Sequence, residues 1–268
     1  MMDNWARISE SLTVSDMDMK ELGRTGLVVS RLCFGTGLLG RLKHNFSYER
    51  GAELLLFAFE RGVNFWDTAI NYGSHGHVQA ALARVDRSEI IINSKTSKRS
   101  YPDGKEEIDR ALDEMDTDYI DSMMLHAVSD PADYESRAGC LEALMEAKAE
   151  GRIRHVGASS HIYTGRVLST LTEAPEIEVV LSHLNKEGKG LEGGSLESHM
   201  ALLRHLREAG KGLMIMKILD QGSAPEPEVQ EWIKWGFEYP YADSVDLGMN
   251  NEDEIEMSVR LSSRVPVA

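Results

Sequence analysis

Eight short apolar runs, separated by longer polar or helical stretches, set the strongest limit on how this chain can fold. They are VVSRLCFG (28–35), VNFWDTA (63–69), EIIINSK (89–95), YIDSMMLHA (119–127), IRHVGAS (153–159), EVVLSHL (178–184), GLMIMK (212–217) and SVDLGM (244–249). Several are almost wholly apolar, as strands covered on both faces of a parallel sheet must be. Between them run helical patterns. SYERGAELLLFAFERG (47–62) opens on a serine cap, repeats apolar residues at three- and four-residue steps and stops at Gly62. DGKEEIDRALDEM (103–115), DYESRAGCLEALMEAKAEG (133–151), SLESHMALLRHLREAGKG (195–212), EPEVQEWIKWGFEY (226–239) and NEDEIEMSVRLS (251–262) follow the same logic. Strand-then-helix units in this number predict an α/β chain closed as a (β/α)8 TIM barrel, a fold that takes about 250 residues. An open doubly wound sheet is the alternative, but no G-x-G-x-x-G follows the first strand. ELGRTGLVV (21–29) predicts an N-terminal β-hairpin capping the barrel floor. Residues 1–18 are expected to form a flexible tail and 19–268 a single domain.

Composition removes several classes of function. No apolar stretch approaches the roughly 20 residues of a membrane span. The N-terminus, MMDNWARISESLTVSDMDMK, lacks a basic region followed by an apolar core, so a cytoplasmic protein is expected. A net charge of -15 opposes nucleic acid or an anionic membrane surface as partner. Cys33 and Cys140 lie far apart with no metal or redox spacing, the first in an apolar strand run and the second on a helical pattern, and read as reduced core residues.

A barrel carries its chemistry at the C-terminal ends of its strands. The polar residues at those ends are Thr36, Asp67 with Tyr72, Lys95, His126, Ser159 with Ser160, His183 with Asn185, and Lys217. Asp67, Lys95 and His126 close three consecutive strands and can converge, with Tyr72 in the loop beyond the first. These types suit proton transfer. A phenol with an ordinary pKa of about 10 is a poor acid at neutral pH, and a nearby ammonium lowers it by stabilising the phenolate. A carboxylate keeps the lysine charged and in place, while a histidine can donate to a substrate oxygen as charge develops there. His75 and His77 read as loop residues, one of which can border the substrate pocket, and His155 and His161 as structural or exposed.

The motifs carrying these residues resemble the aldo-keto reductases. LGRTGLVVSRLCFGTG is similar to that family's N-terminal signature, GVNFWDTAINYG to its stretch bearing the acid and the tyrosine, and NSKTS and DSMMLHAV to its lysine and histidine motifs. GRIRHVGASSH is similar to the fifth-strand motif. The resemblance is strong over residues 20 to 165. It implies a (β/α)8 barrel passing a hydride from NADH or NADPH to an aldehyde or ketone, with a small carbonyl or alcohol as substrate. Tyr72 would be the general acid of reduction, Lys95 would depress its pKa, Asp67 would hold Lys95, and His126 would orient the carbonyl. The resemblance further places the cofactor against Gly35, Thr36, Asp67, Ser159, Ser160, Lys217, Gly248, Met249 and Asn250.

The second half departs from the family pattern. Serine at 160 replaces the usual asparagine, Leu181 and Leu184 replace a glutamine and a tyrosine, and Met216 stands where an aromatic stacks on the nicotinamide. Asn185 keeps its type. Lys217, in MIMKILDQG, is placed as a pyrophosphate contact. After the eighth strand LGMNNEDEIEMSV is acidic where the family offers cations, and Glu252, Asp253 and Glu254 would repel an extra phosphate, favouring NADH over NADPH.

Two alternatives stand beside the reductase. One is a barrel that keeps the four catalytic types but has weakened dinucleotide binding, serving as a binding protein or changed enzyme. The other is a metal-dependent barrel hydrolase using His75, His77, Lys95, His126, His183 and Asp246. Its His-x-His pair lies several residues past a strand, where rigid ligation is not available, so no metal site is expected. The glycines of KEGKGLEGGS (186–195) form no Walker pattern and predict a flexible connection.

Overall fold

The computed structural model describes residues 17–40, 43–161, 165–191 and 193–263. Strands β1 (Met19–Glu21) and β2 (Val28–Ser30) form an antiparallel hairpin. Eight parallel strands follow: β3 (Leu32–Gly35), β4 (Phe65–Asp67), β5 (Ile91–Thr96), β6 (Ile120–Leu125), β7 (Ile153–Ser160), β8 (Val179–His183), β9 (Gly212–Met216) and β10 (Ser244–Gly248). They close in chain order, β10 pairing with both β9 and β3. The helices are α1 (Tyr48–Phe59), α2 (His75–Leu82), α3 (Tyr101–Met115), α4 (Pro131–Ser136), α5 (Ala138–Ala149), α6 (Gly165–Glu173), α7 (Leu196–Glu208), α8 (Val229–Glu238) and α9 (Glu252–Ser262). The expected barrel and hairpin are both present.

Two-residue alternation sorts the strands into two cores. Phe34, Trp66, Ile92, Leu125, Val180, Ile215 and Leu247 face the helices. Cys33, Phe65, Met124, Leu181, Met214 and Met216 fill the barrel interior, together with Leu22, Leu27 and Val29 of the hairpin. The hairpin thus plugs the bottom, and the polar chemistry must collect above this apolar floor. Gly23 makes the plug possible: at φ +60°, a Cβ there would fall 2.2 Å from the Gly212 nitrogen.

Three sequence expectations need correction. The run 28–35 is two strands, because Val28–Ser30 pairs with β1 before Leu32 enters the barrel. The helix expected over 133–151 breaks at Arg137 into α4 and α5. Arg137 there donates to the His126 carbonyl at 2.7 Å, so the break serves the site. His75 and His77 are not loop residues but begin α2, and both are buried. Of the expected tail, residues 1–16 lie outside the described residues, whereas Met17 is buried and receives the Ser262 hydroxyl.

Candidate active site

The end of β4 is tied down before it delivers its side chains. Thr36 Oγ1 donates to the Asp67 carbonyl at 2.9 Å and meets Ser74 Oγ at 2.8 Å, and Thr68 Oγ1 reaches the same Ser74 hydroxyl at 2.9 Å. The chain between makes a 3-10 turn, Ile70–Tyr72, closed by Gly73 at φ 67°. Gly40 presses on this turn, since a Cβ there would fall 2.1 Å from the Tyr72 carbonyl. Tyr72 is therefore held by backbone packing and by the Thr36–Ser74–Thr68 hydroxyl cluster.

Asp67, Tyr72, Lys95 and His126 come together at the barrel mouth. Lys95 Nζ donates to Asp67 Oδ2 at 2.5 Å, to the Thr68 carbonyl at 2.8 Å and to Tyr72 Oη at 3.4 Å, which occupies all three of its hydrogens. Asn93 Nδ2 donates to the other Asp67 oxygen at 2.6 Å. The rings of Tyr72 and His126 meet edge-on with centroids 5.8 Å apart.

Burial dominates the electrostatics. It pushes the Tyr72 phenol up to about 12, and Lys95 pulls the other way without overcoming it. This amends the expectation that Lys95 would leave a depressed pKa: the tyrosine stays protonated at neutral pH. Burial alone would lower the Lys95 ammonium, but Asp67, Tyr72 and Asp246 together raise it. His126 is driven down to about 3 by burial and by Lys95, so its ring is neutral.

His161, expected to be structural or exposed, instead lies tilted against His126 with ring centroids 5.3 Å apart. It too falls to about 3 through burial and Lys217, and its Nε2 is buried with no hydrogen-bond partner among the described residues. Sequence reasoning passed it over; its place directly after Ser160 at a strand end was the available signal.

The residues placed against the cofactor divide into two groups. Ser159 and Ser160 are buried at the end of β7, with Ser159 Oγ accepting from the Ala127 amide at 2.8 Å. Lys217 follows β9 in a left-handed conformation, φ 60°, as Ala127 follows His126 at φ 57°. Strain of this kind gathers at working sites. Lys217 is partly buried, which lowers its ammonium, and it has no ion pair among the described residues. Gly248 is exposed at the end of β10. The other group is built into the surrounding structure. The Thr36 hydroxyl is held within the Asp67–Ser74 cluster, and Gly35 packs its inner face against Asp246. Met249 is a correction: it follows β10, is 2% exposed and lies in the core under the helices. Asn250 donates its amide to Glu254 Oε2 at 2.9 Å.

The acidic segment is also less free than its sequence suggests. Glu252 takes both terminal Arg50 nitrogens, at 2.6 and 2.7 Å, and Glu254 accepts from the Asn250 backbone amide while donating its own to the capping Asn251 side chain. In the second half, Leu181 lies in the barrel interior and Leu184 in the outer core. Asn185 reaches His183 Nε2 at 3.0 Å and the Lys189 carbonyl at 2.9 Å. Gly190 closes over His183, a Cβ there falling 2.4 Å from the ring, so the glycine-rich connection is packed at this point.

His75 and His77 are spent on α2. His75 Nδ1 pairs with Glu114 at 2.7 Å and Nε2 meets Ser94 at 3.3 Å, while His77 Nε2 meets the Phe46 carbonyl at 3.0 Å. No cluster of three metal-ligating side chains forms among the described residues. A groove of about 620 Å³ lined by Gln79, Leu82, Arg87, Leu112 and Tyr119 lies near the start of β6, away from the strand ends.

Residues 31–232 match the Aldo/keto reductase family, and the chain belongs to that family, whose members are NAD(P)H-dependent carbonyl reductases. It is 31% identical over 163 residues to a Glycine max protein named probable aldo-keto reductase 1, an alignment covering 55% of this chain and 46% of that protein. It is 26% identical over 239 residues to L-galactose dehydrogenase of Arabidopsis thaliana, covering 82% of this chain and 70% of that one. The chain thus spans about half the length of the first and more of the second. Among solved structures, an aldo-keto reductase from Bacillus halodurans in its holo form shares the fold with a TM-score of 0.75 at 22% identity, covering 94% of this chain and 93% of that one.

Proposed function

We propose that this chain is a nicotinamide-dependent reductase of aldehydes or ketones in which Tyr72 supplies the proton. The observation that carries the proposal is the line Asp67–Lys95–Tyr72, at 2.5 and 3.4 Å, ending in a phenol that burial keeps protonated. Tyr72 donates its hydrogen to the carbonyl oxygen as that oxygen gains charge. Lys95 stabilises the phenolate left behind, and Asp67 with Asn93 keeps Lys95 aimed. The neutral His126 ring donates a hydrogen bond to the same oxygen and fixes the carbonyl's orientation.

The residues present fit a dinucleotide. Lys217, a partly buried ammonium with no ion pair among the described residues, suits a phosphate oxygen, and Ser159 and Ser160 suit a carboxamide. The bound dinucleotide supplies the hydride. The cation nearest the acidic segment, Arg50, is already held by Glu252, which supports NADH over NADPH. An acidic chain with no helix long and apolar enough to cross a membrane among the described residues suits work in the cytoplasm on small carbonyls or alcohols.

The test is nicotinamide absorbance on mixing the protein with NADH or NADPH and a panel of small aldehydes and ketones, beside a tryptophan-fluorescence titration with each dinucleotide. Consumption with quenching is expected. Neither quenching nor consumption would leave the alternative of a barrel that has lost its cofactor.

A further inference from the structure

Asp246 is an acid that the proton-transfer site leaves unused. Its position pairs with Cys33 on β3 and Met216 on β9, both in the interior cluster, while Val245 and Leu247 pack outward. The side chain therefore points into the barrel, where it is partly buried. Its Oδ1 is closed to solvent and has no hydrogen-bond partner among the described residues. That oxygen occupies room left by Gly35, where a Cβ would fall 2.5 Å away. Gly35 pairs with Asp67 on its other side, so the two carboxyls flank one residue without a side chain.

The titratable groups facing Asp246 are Cys33 from β3, Asp67 from β4, Lys95 from β5 and Tyr72 from the turn after β4; β9 presents Met214 and Met216. Only one of these groups is a cation. Lys95 has all three hydrogens committed, one of them to Asp67, which also receives Asn93. Two carboxyls competing for one engaged ammonium do not both ionise, and Asp246, whose Oδ1 has no donor among the described residues, is the one that keeps its proton.

We propose that Asp246 is a positioning residue for the Tyr72 proton transfer: a carboxylic acid that stays protonated through neutral pH, leaving one carboxylate for one ammonium beneath the phenol. This rests on Tyr72 and Lys95 acting as proposed above. Burial, with Asp67 behind it, raises the Asp246 acid well above the usual range, in the direction the geometry requires. Once ionised, Asp246 raises Tyr72 and makes its phenolate harder to form.

The experiment is carbon-13 NMR of aspartate side-chain carboxyls in the full chain without cofactor, titrated from about pH 4 to pH 10. Asp246→Asn assigns the signal, with Asp246→Ser in reserve should that variant fail to fold. A carboxyl resonance still protonated at neutral pH and lost in the variant is expected. A resonance that titrates with ordinary carboxylates overturns the proposal. In the alcohol-oxidation pH profile, Asp246→Asn is expected to move the alkaline rise to lower pH by about half a unit or more, because asparagine cannot ionise. An unmoved rise would remove Asp246 from the proton-transfer site. An inactive wild type would sink the reductase assignment while leaving the NMR result to stand by itself.

Discussion

Lys95 and Asp67 meet at 2.5 Å with side chains 0% and 1% exposed, so the barrel mouth is built on an ion pair sealed from water. Removing one partner of such a pair strands the other charge. Lys95→Met is expected to cost about 3–5 kcal/mol of stability as well as turnover. The double variant Asp67→Asn with Lys95→Met should recover much of that loss. Urea denaturation of the four proteins checks this; equal stability of the single and double variants would mean the pair carries no such coupling.

Acid should destabilise the fold early. His126 and His161 are held at about 3 and His199 at about 4, each by burial, whereas an unfolded histidine titrates near ~6.5. Below that value the unfolded chain binds protons that the folded chain refuses. Stability therefore falls as pH drops from about 6.5 toward the folded values, each histidine adding a slope of at most about 1.4 kcal/mol per pH unit. Denaturation midpoints measured from about pH 7 down to pH 5 read the slope, and His161→Phe should reduce it. A flat profile would mean these rings take up protons in the folded state.

Cofactor choice should respond to Glu252 more cleanly than to Glu254, whose carboxylate accepts from the Asn250 backbone amide at the start of α9. Glu252→Gln removes the bidentate carboxylate from the Arg50 guanidinium and leaves it the longer, 3.3 Å contact with Glu53. The ratio of NADPH to NADH affinity is expected to rise several-fold, by fluorescence titration of both. An unchanged ratio would place the adenosine end elsewhere.

The barrel was legible because eight apolar runs at regular spacing leave few other ways to bury themselves, and the convergence of Asp67, Lys95 and His126 because they close consecutive strands, with Tyr72 in the turn after the first. What escaped was set by tertiary contact. Nothing local in GSHGHVQAAL announces a helix, yet α2 buries His75 on Glu114 and His77 on Phe46. Arg137 breaks a continuous helical pattern in order to hold the His126 carbonyl. The charge of Glu252 looked available in the sequence because its partner, Arg50, lies on α1, some two hundred residues earlier. The Tyr72 pKa went the other way from expectation because burial, which a motif does not display, exceeds the pull of Lys95.

The most direct test of Tyr72 as proton donor is carbonyl reduction by Tyr72→Phe, measured beside wild type with dinucleotide affinity followed on the same samples. The ring and its packing against Gly37 survive that change, and only the hydroxyl is lost. Turnover is expected to fall by about 10²–10⁴-fold with dinucleotide affinity nearly intact. Turnover within a few-fold of wild type would contradict the account, since the Asp67–Lys95 pair would then be aimed at a hydroxyl the reaction does not need.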